Sequence, residues 1–154
     1  METAIVVLPT LKRAALWFSI LIMLNATGCS TFKRDWKAAA RVPSPSQDIQ
    51  GRWEGTWLSH TNGHHGRLRC LVSNGPEGQY LARFHANYVK ILSFGYTVPL
   101  TVRETRGAYQ FQGDANLGRL AGGEYHYEGQ ATSTNFFSTY RARADAGVFE
   151  MKRP

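Results

Sequence analysis

Apolar and polar side chains alternate with a period of two through most of the chain after residue 48. In the first such stretch Trp53, Gly55 and Trp57 alternate with polar residues, which is typical of a β-strand with one buried face. No helix of normal length is expected beyond residue 48. The pattern predicts eight strands, over residues 49–59, 67–72, 79–88, 93–104, 108–112, 124–131, 135–143 and 148–153.

Short turn sequences separate these stretches, and they favour antiparallel neighbours. Asn62-Gly63 is a strong hairpin dipeptide, and Gly-rich or Pro-containing segments follow most of the other strands. The fold class we predict is all-β: a single antiparallel meander of about eight strands that closes into a small β-barrel, with a β-sandwich as the alternative. Gly55 and Gly129 fall at inward positions, where they suit the close corners of a barrel.

The start of the chain has a different pattern. Residues 14–24 are eleven uncharged, mainly apolar residues, and Lys12 and Arg13 precede them. A helix that spans a bilayer needs about 20 apolar residues, so this run is short for a span but suits the signal helix of a secreted protein. We therefore expect a signal peptide over residues 1–28.

The end of this segment, Ala26-Thr27-Gly28-Cys29, resembles the lipobox of bacterial lipoproteins. The resemblance implies cleavage after Gly28, a diacylglycerol on the Cys29 thiol and a membrane partner reached through acyl chains. Ser30 follows, and in that family a residue other than Asp there is compatible with an outer membrane facing the periplasm. Two alternatives stay open: ordinary signal peptidase would cut the same bond and release a protein with free Cys29, or an uncleaved segment would anchor it in the inner membrane.

Residues 29–48 are predicted to be a lipidated Cys followed by a tether. The tether begins with a turn of amphipathic helix that contains Trp36, and Pro43 and Pro45 then favour an extended spacer. The remaining residues, 49–154, form the β domain. Because acylation would occupy Cys29, Cys70 would lack a disulfide partner; it alternates with Leu68 and Val72, which predicts a buried small side chain.

The net charge of +7 changes the expected partners only a little, because the basic residues are scattered. Nucleic acid is not expected as a partner, since that would need a dense basic patch on a recognised module. Attraction to anionic lipid headgroups or acidic envelope polymers is the more sensible use of this charge. The oligomeric state is not determined by these features.

The predicted inner face is rich in aromatic residues, and this is the main indication of a function. The opening Gly51-Arg52-Trp53 resembles the first strand of lipocalin-like barrels, which implies a barrel architecture. An interior of this kind could hold a small apolar or amphipathic ligand, although a barrel of eight strands can also be filled by its own side chains. The candidate lining residues are Trp53, Trp57, Tyr80, Phe84, Tyr96, Tyr125 and Tyr127.

One turn carries three histidines, His60, His64 and His65, which are residue types that bind transition metals. Adjacent His64 and His65 would point to opposite faces of a strand, and no carboxylate stands in the turn, so a polar loop is favoured. We expect no cofactor and no enzyme activity. The principal expectation is an envelope lipoprotein with a binding or interaction module; the alternatives are a structural or assembly component and a metal-assisted enzyme that uses this turn.

Overall fold

Eight antiparallel strands, joined in sequence order, close into one barrel in the computed structural model, which describes residues 31–43, 48–88 and 92–154. Each strand pairs with the next, and the last pairs with the first. This confirms the predicted all-β barrel over the sandwich. The strands are β1 (Gly51–Ser59), β2 (His65–Asn74), β3 (Tyr80–Tyr88), β4 (Leu92–Thr105), β5 (Ala108–Asn116), β6 (Glu124–Ala131), β7 (Asn135–Ala142) and β8 (Ala146–Lys152).

Three predicted features lie outside the described residues. They are the signal peptide over residues 1–28, the lipidation site at Cys29, and most of the Pro-Ser spacer, at residues 44–47.

Strand β5 is longer than its sequence pattern predicts. It was expected to end at Gln112, but it continues to Asn116 and pairs with β6 as far as Asn116 opposite Glu124. The inward residues of this extension, Gly113 and Ala115, are small and give no hydrophobic period. The predicted glycine-rich loop therefore shrinks to residues 117–123, with a short 3₁₀ turn at Arg119–Ala121.

One end of the barrel is closed by the segment that precedes β1. Ile49 and Trp53 are fully buried there, and the indole Nε1 of Trp53 donates a hydrogen bond of 2.8 Å to the Ile49 carbonyl. The guanidinium of Arg153 lies 3.8 Å from the Trp53 ring centroid and donates to the carbonyls of Gln50 and Asp48, at 2.5 and 2.7 Å. These contacts join the segment before β1 to the residue after β8. They close this end of the barrel, which we call the closed end.

Two inward glycines allow neighbouring strands to approach closely. A side-chain carbon added at Gly55 would collide with the backbone carbonyl oxygen of Glu150 on β8, and one added at Gly129 would collide with that of Phe137 on β7. Both positions therefore need glycine for steric reasons, as the sequence predicts for the corners of a small barrel.

Residues 31–39 form a helix that packs on the outside of the barrel, and we call it the docked helix. Phe32 and Trp36 lie one turn apart on one face and are only 4% and 8% exposed. Phe32 stacks on His85 of β3 with centroids 5.0 Å apart, and Trp36 lies under the guanidinium groups of Arg52 and Arg69 at 5.3 and 5.2 Å.

An ion pair adds to this contact: the Arg83 Nη1 of β3 donates to the Asp35 carboxylate at 2.9 Å. The first half of the predicted tether is thus attached to the barrel wall. Within the described ranges, no helix is long and apolar enough to cross a membrane.

Candidate functional site

A cavity of about 260 Å³ opens at the end of the barrel opposite Trp53. Inward-pointing aromatic residues of five strands form most of its wall, because the period of two puts alternate residues of each strand inside. These residues are Trp57, Phe94, Tyr96, Tyr125, Tyr127, Tyr140 and Phe149.

Small residues leave this space empty at the open end. On β3 the inward position nearer the closed end holds Phe84, whereas the next inward position toward the open end holds Ala86, which lines the cavity. The ring of Phe84 stacks on Tyr96 and Tyr127 at centroid distances of 5.3 and 6.2 Å, so it supports these two cavity tyrosines from the packed core.

The tyrosine rings of the cavity contact one another in a chain of stacked and tilted pairs. Tyr127 lies 6.1 Å from both Tyr96 and Tyr125, and Tyr140 lies 6.0 Å from Tyr125 and 5.0 Å from Phe149, measured between ring centroids. Such a chain of rings offers ring faces and hydroxyl groups within one open-ended cavity, which suits a ligand with both apolar and polar parts.

The tyrosine hydroxyls remain protonated at neutral pH. Burial raises the pKa of Tyr96, Tyr127 and Tyr140 above the usual value for a phenol, and the negative charge of Asp145 raises that of Tyr140 further. These neutral hydroxyls can therefore form hydrogen bonds with a ligand, although the O–H of Tyr140 donates to Asp145 and leaves its oxygen as an acceptor, and none of them is poised to act as a base.

Asp145 supplies the one carboxylate in the lining that the structure describes. It lies in the turn between β7 and β8 and is half-buried. Its Oδ1 accepts a hydrogen bond of 2.6 Å from the hydroxyl of Ser59, and its Oδ2 accepts one of 3.2 Å from the Tyr140 hydroxyl. Ser59 is 1% exposed, so a buried hydroxyl fixes the orientation of the Asp145 carboxylate at the border of the cavity.

The mouth of the cavity has an apolar lip on β4 and a glycine-rich loop on the β5–β6 side. Leu92 is 63% exposed and Phe94 is 47% exposed, and Phe94 also lines the cavity. Across the mouth, the loop of residues 117–123 is closed by a hydrogen bond of 2.9 Å from the Leu117 N–H to the Gly123 carbonyl. Leu117 also reaches the cavity wall.

The predicted lining residues divide between the two ends of the barrel. Trp57, Tyr96, Tyr125 and Tyr127 border the cavity. The others do not: Phe84 lies beneath it, while Trp53 and Tyr80 belong to the closed end, where Trp53 meets Arg153 and Tyr80 pairs with Leu100 of β4.

Three important cavity residues were not among those predicted: Tyr140, Asp145 and Phe149. The sequence does contain a signal for Tyr140 and Phe149. Tyr140 alternates with Phe136 and Ser138, and Phe149 alternates with Gly147 and Met151, which indicates that both face the interior. Asp145 stands in a hairpin turn, where no local pattern separates a cavity residue from a solvated one.

The histidine turn is a surface feature. His60, His64 and His65 are exposed; His64 Nδ1 lies 3.1 Å from the Tyr88 hydroxyl, and His65 Nδ1 lies 3.2 Å from the Gly63 carbonyl oxygen. Among the residues that the structure describes, no three His, Cys, Asp or Glu side chains are placed to hold a metal ion. The geometry therefore does not bring these histidines together as a ligand set.

The remaining chemically active side chains are outside the barrel or inert. Glu54 faces outward and pairs with Arg67 and Arg69, and Asp114 Oδ1 lies 2.8 Å from His126 Nδ1 on the outer wall. Cys70 is fully buried, as its alternation predicts, and burial raises the pKa of its thiol. Of the described residues, those of the open-end cavity offer the best site for a ligand.

Comparisons with protein-family models, with curated proteins and with solved structures found no match.

Proposed function

We propose that this chain is a membrane-anchored envelope lipoprotein whose barrel binds a small amphipathic molecule. The observation that carries the binding part is the aromatic cavity of about 260 Å³ at the open end. That volume is equivalent to about nine water molecules, which is room for a ligand of about ten non-hydrogen atoms.

The chemistry of the wall supports a ligand of mixed polarity. The rings provide apolar contact, and the hydroxyls of Tyr96, Tyr125 and Tyr140 provide directional polar groups along the same wall. The exposed Leu92 and Phe94 at the mouth give an apolar molecule a surface to contact before it enters.

The anchoring part of the proposal rests on the sequence. The apolar run of residues 14–24 and the Gly28-Cys29 pair support signal cleavage and acylation, with the barrel facing the periplasm from an outer membrane. One buried acyl chain binds marginally, whereas two or three hold a protein stably, because each CH₂ group contributes about 0.8 kcal/mol.

The binding proposal is tested by mass spectrometry of small molecules that co-purify with the full-length chain. The variant Ala86→Leu places three further carbon atoms in the cavity and serves as the comparison. We expect one compound class to be recovered with the wild type and lost with the variant. Recovery of the same compounds in equal amounts from both proteins would reject a ligand site in this cavity.

The anchoring proposal has a separate test. Cells that express the wild type or Cys29→Ala are labelled with a radioactive fatty acid, and the membranes are then separated. We expect the variant to lose the label and leave the membrane fraction, while Cys70→Ala, which changes the other cysteine, retains both properties. Unchanged membrane retention of the Cys29→Ala protein would contradict acyl anchoring.

A further inference from the structure

The cavity is bordered by a carboxylate, Asp145, that forms no ion pair within the described chain. Asp145 takes part in none of the ion pairs that the structure describes, which join arginine or histidine to Asp35, Glu54 and Asp114. Both of its hydrogen-bond donors, Ser59 and Tyr140, are neutral. No Lys, Arg or His stands among the described lining residues, although the whole chain carries a net charge of +7.

The rings around this carboxylate have the electronic character that attracts cations. Aromatic faces carry a negative potential, and a cation within about 6 Å of a ring centroid is stabilised by roughly 0.5–2 kcal/mol, more as water is excluded. Tyr125 and Tyr140 form one wall with Phe149, and Trp57 lies in the same enclosure. The negative field of Asp145 also reaches the two tyrosines, since it raises the pKa of both.

We propose that the ligand of this cavity is an organic cation, namely a primary or substituted amine on an apolar body of about ten non-hydrogen atoms. This inference rests on the proposed function and specifies its ligand class. The ammonium group would lie beside the Asp145 carboxylate, and the apolar body would lie against the rings of Tyr96, Tyr127 and Phe149.

The same geometry disfavours anionic amphiphiles such as fatty acids. A ligand carboxylate in the mouth would face Asp145 without a balancing cation among the described lining residues, and two like charges in a partly dehydrated space repel strongly. Neutral amphiphiles would keep the ring contacts but would lose the charge-assisted hydrogen bond to Asp145.

The test compares three probes of similar size and different charge: phenethylamine, phenethyl alcohol and hydrocinnamate. Binding to the full-length chain is measured by isothermal titration calorimetry at neutral pH. We expect the amine to bind about tenfold more tightly than the alcohol, which is the factor expected for a charge-assisted hydrogen bond, and hydrocinnamate to bind more weakly than both.

Two variants locate the effect. Asp145→Asn keeps an oxygen acceptor for Ser59 but removes the charge, so we expect it to reduce amine affinity to that of the alcohol and leave alcohol affinity unchanged. Asp114→Asn removes the same charge from the outer wall, where Asp114 is 80% exposed, and should bind all three probes as the wild type does.

The outcomes separate the two proposals. Equal binding of amine and alcohol by the wild type overturns the cation inference and leaves the ligand cavity standing; this comparison needs no variant and holds even if Asp145→Asn fails to fold. Tighter binding of hydrocinnamate than of the amine also overturns it. Absence of binding by all three probes counts against both proposals.

Discussion

Two matched substitutions on β3 test whether the open end of the barrel is hollow. Ala86 and Ala82 lie on the same strand, point to the same interior and are almost fully buried. Only Ala86 borders the cavity. Replacing each with leucine therefore adds the same three carbon atoms beside the cavity in one case and within a packed core in the other.

The expected free-energy changes have opposite signs. The three carbon atoms added at residue 86 occupy roughly 90 Å³, counting each as about one water molecule, and this is well below the cavity volume. Their burial contributes at most about 2.4 kcal/mol, and the loss of leucine rotamers offsets about 0.5–1 kcal/mol, so Ala86→Leu should stabilise the fold by about 1–2 kcal/mol. Ala82→Leu overpacks the core and should destabilise it by about 1–3 kcal/mol.

Guanidinium unfolding followed by tryptophan fluorescence measures both variants against the wild type. The quantity compared is the free energy of unfolding at equal denaturant dependence. Destabilisation of the Ala86→Leu protein by as much as that of Ala82→Leu would show that the open end is packed, and the case for a ligand cavity would then collapse.

Three further predictions concern the scaffold. Gly129→Ala should destabilise the barrel by at least about 2 kcal/mol, because its added methyl group meets the Phe137 carbonyl; a thermal melt measures this, and an unchanged midpoint would contradict the close approach of β6 and β7. Arg153→Met should lower the free energy of unfolding by about 2–4 kcal/mol, because the contact with Trp53 is lost and two backbone carbonyls lose their hydrogen-bond donor. The control Lys152→Met changes the exposed neighbouring residue and should have little effect in the same assay. Burial and the nearby positive charges of Arg69 and Lys33 lower the pKa of His85, so the unfolded chain binds a proton there more readily than the folded chain does. The stability that neutral His85 contributes is complete above about pH 6.5 and declines as the pH falls through the lowered pKa. Limited proteolysis of the docked helix should therefore accelerate over that range, and His85→Phe should remove the acceleration.

The barrel was predictable from the sequence because half-buried strands carry a strong local signal. Alternation around Trp53 and Trp57 and turn dipeptides such as Asn62-Gly63 identified the strands and their antiparallel order, and all eight are present. The extension of β5 was missed because Gly113 and Ala115 contribute too little hydrophobic contrast to mark a strand.

The cavity could be predicted only in part, because alternation shows which side of a strand a residue faces and not how far along the barrel it lies. Trp53 and Trp57 share one face of β1, yet they lie about 13 Å apart along the strand and belong to opposite ends. Asp145 reaches the cavity because β8 closes on β1 and brings its turn beside Ser59, a contact across 86 positions of sequence that no local pattern encodes.

The docked helix changes what acylation of Cys29 would do to the barrel. Phe32 lies three positions after Cys29, and this length of chain spans at most about 11 Å. Phe32 stacks on His85 of β3. His85 lies three positions, or about 10 Å, before Tyr88 on the same strand, and Tyr88 pairs with Leu92 of β4. An acylated Cys29 would therefore hold the β3 side of the barrel close to the anchoring point, and β3 ends beside the apolar lip of β4. A free spacer over residues 30–48 would impose no such limit, so the contact of Phe32 and Trp36 with the barrel is what would couple the proposed anchor to the proposed binding site.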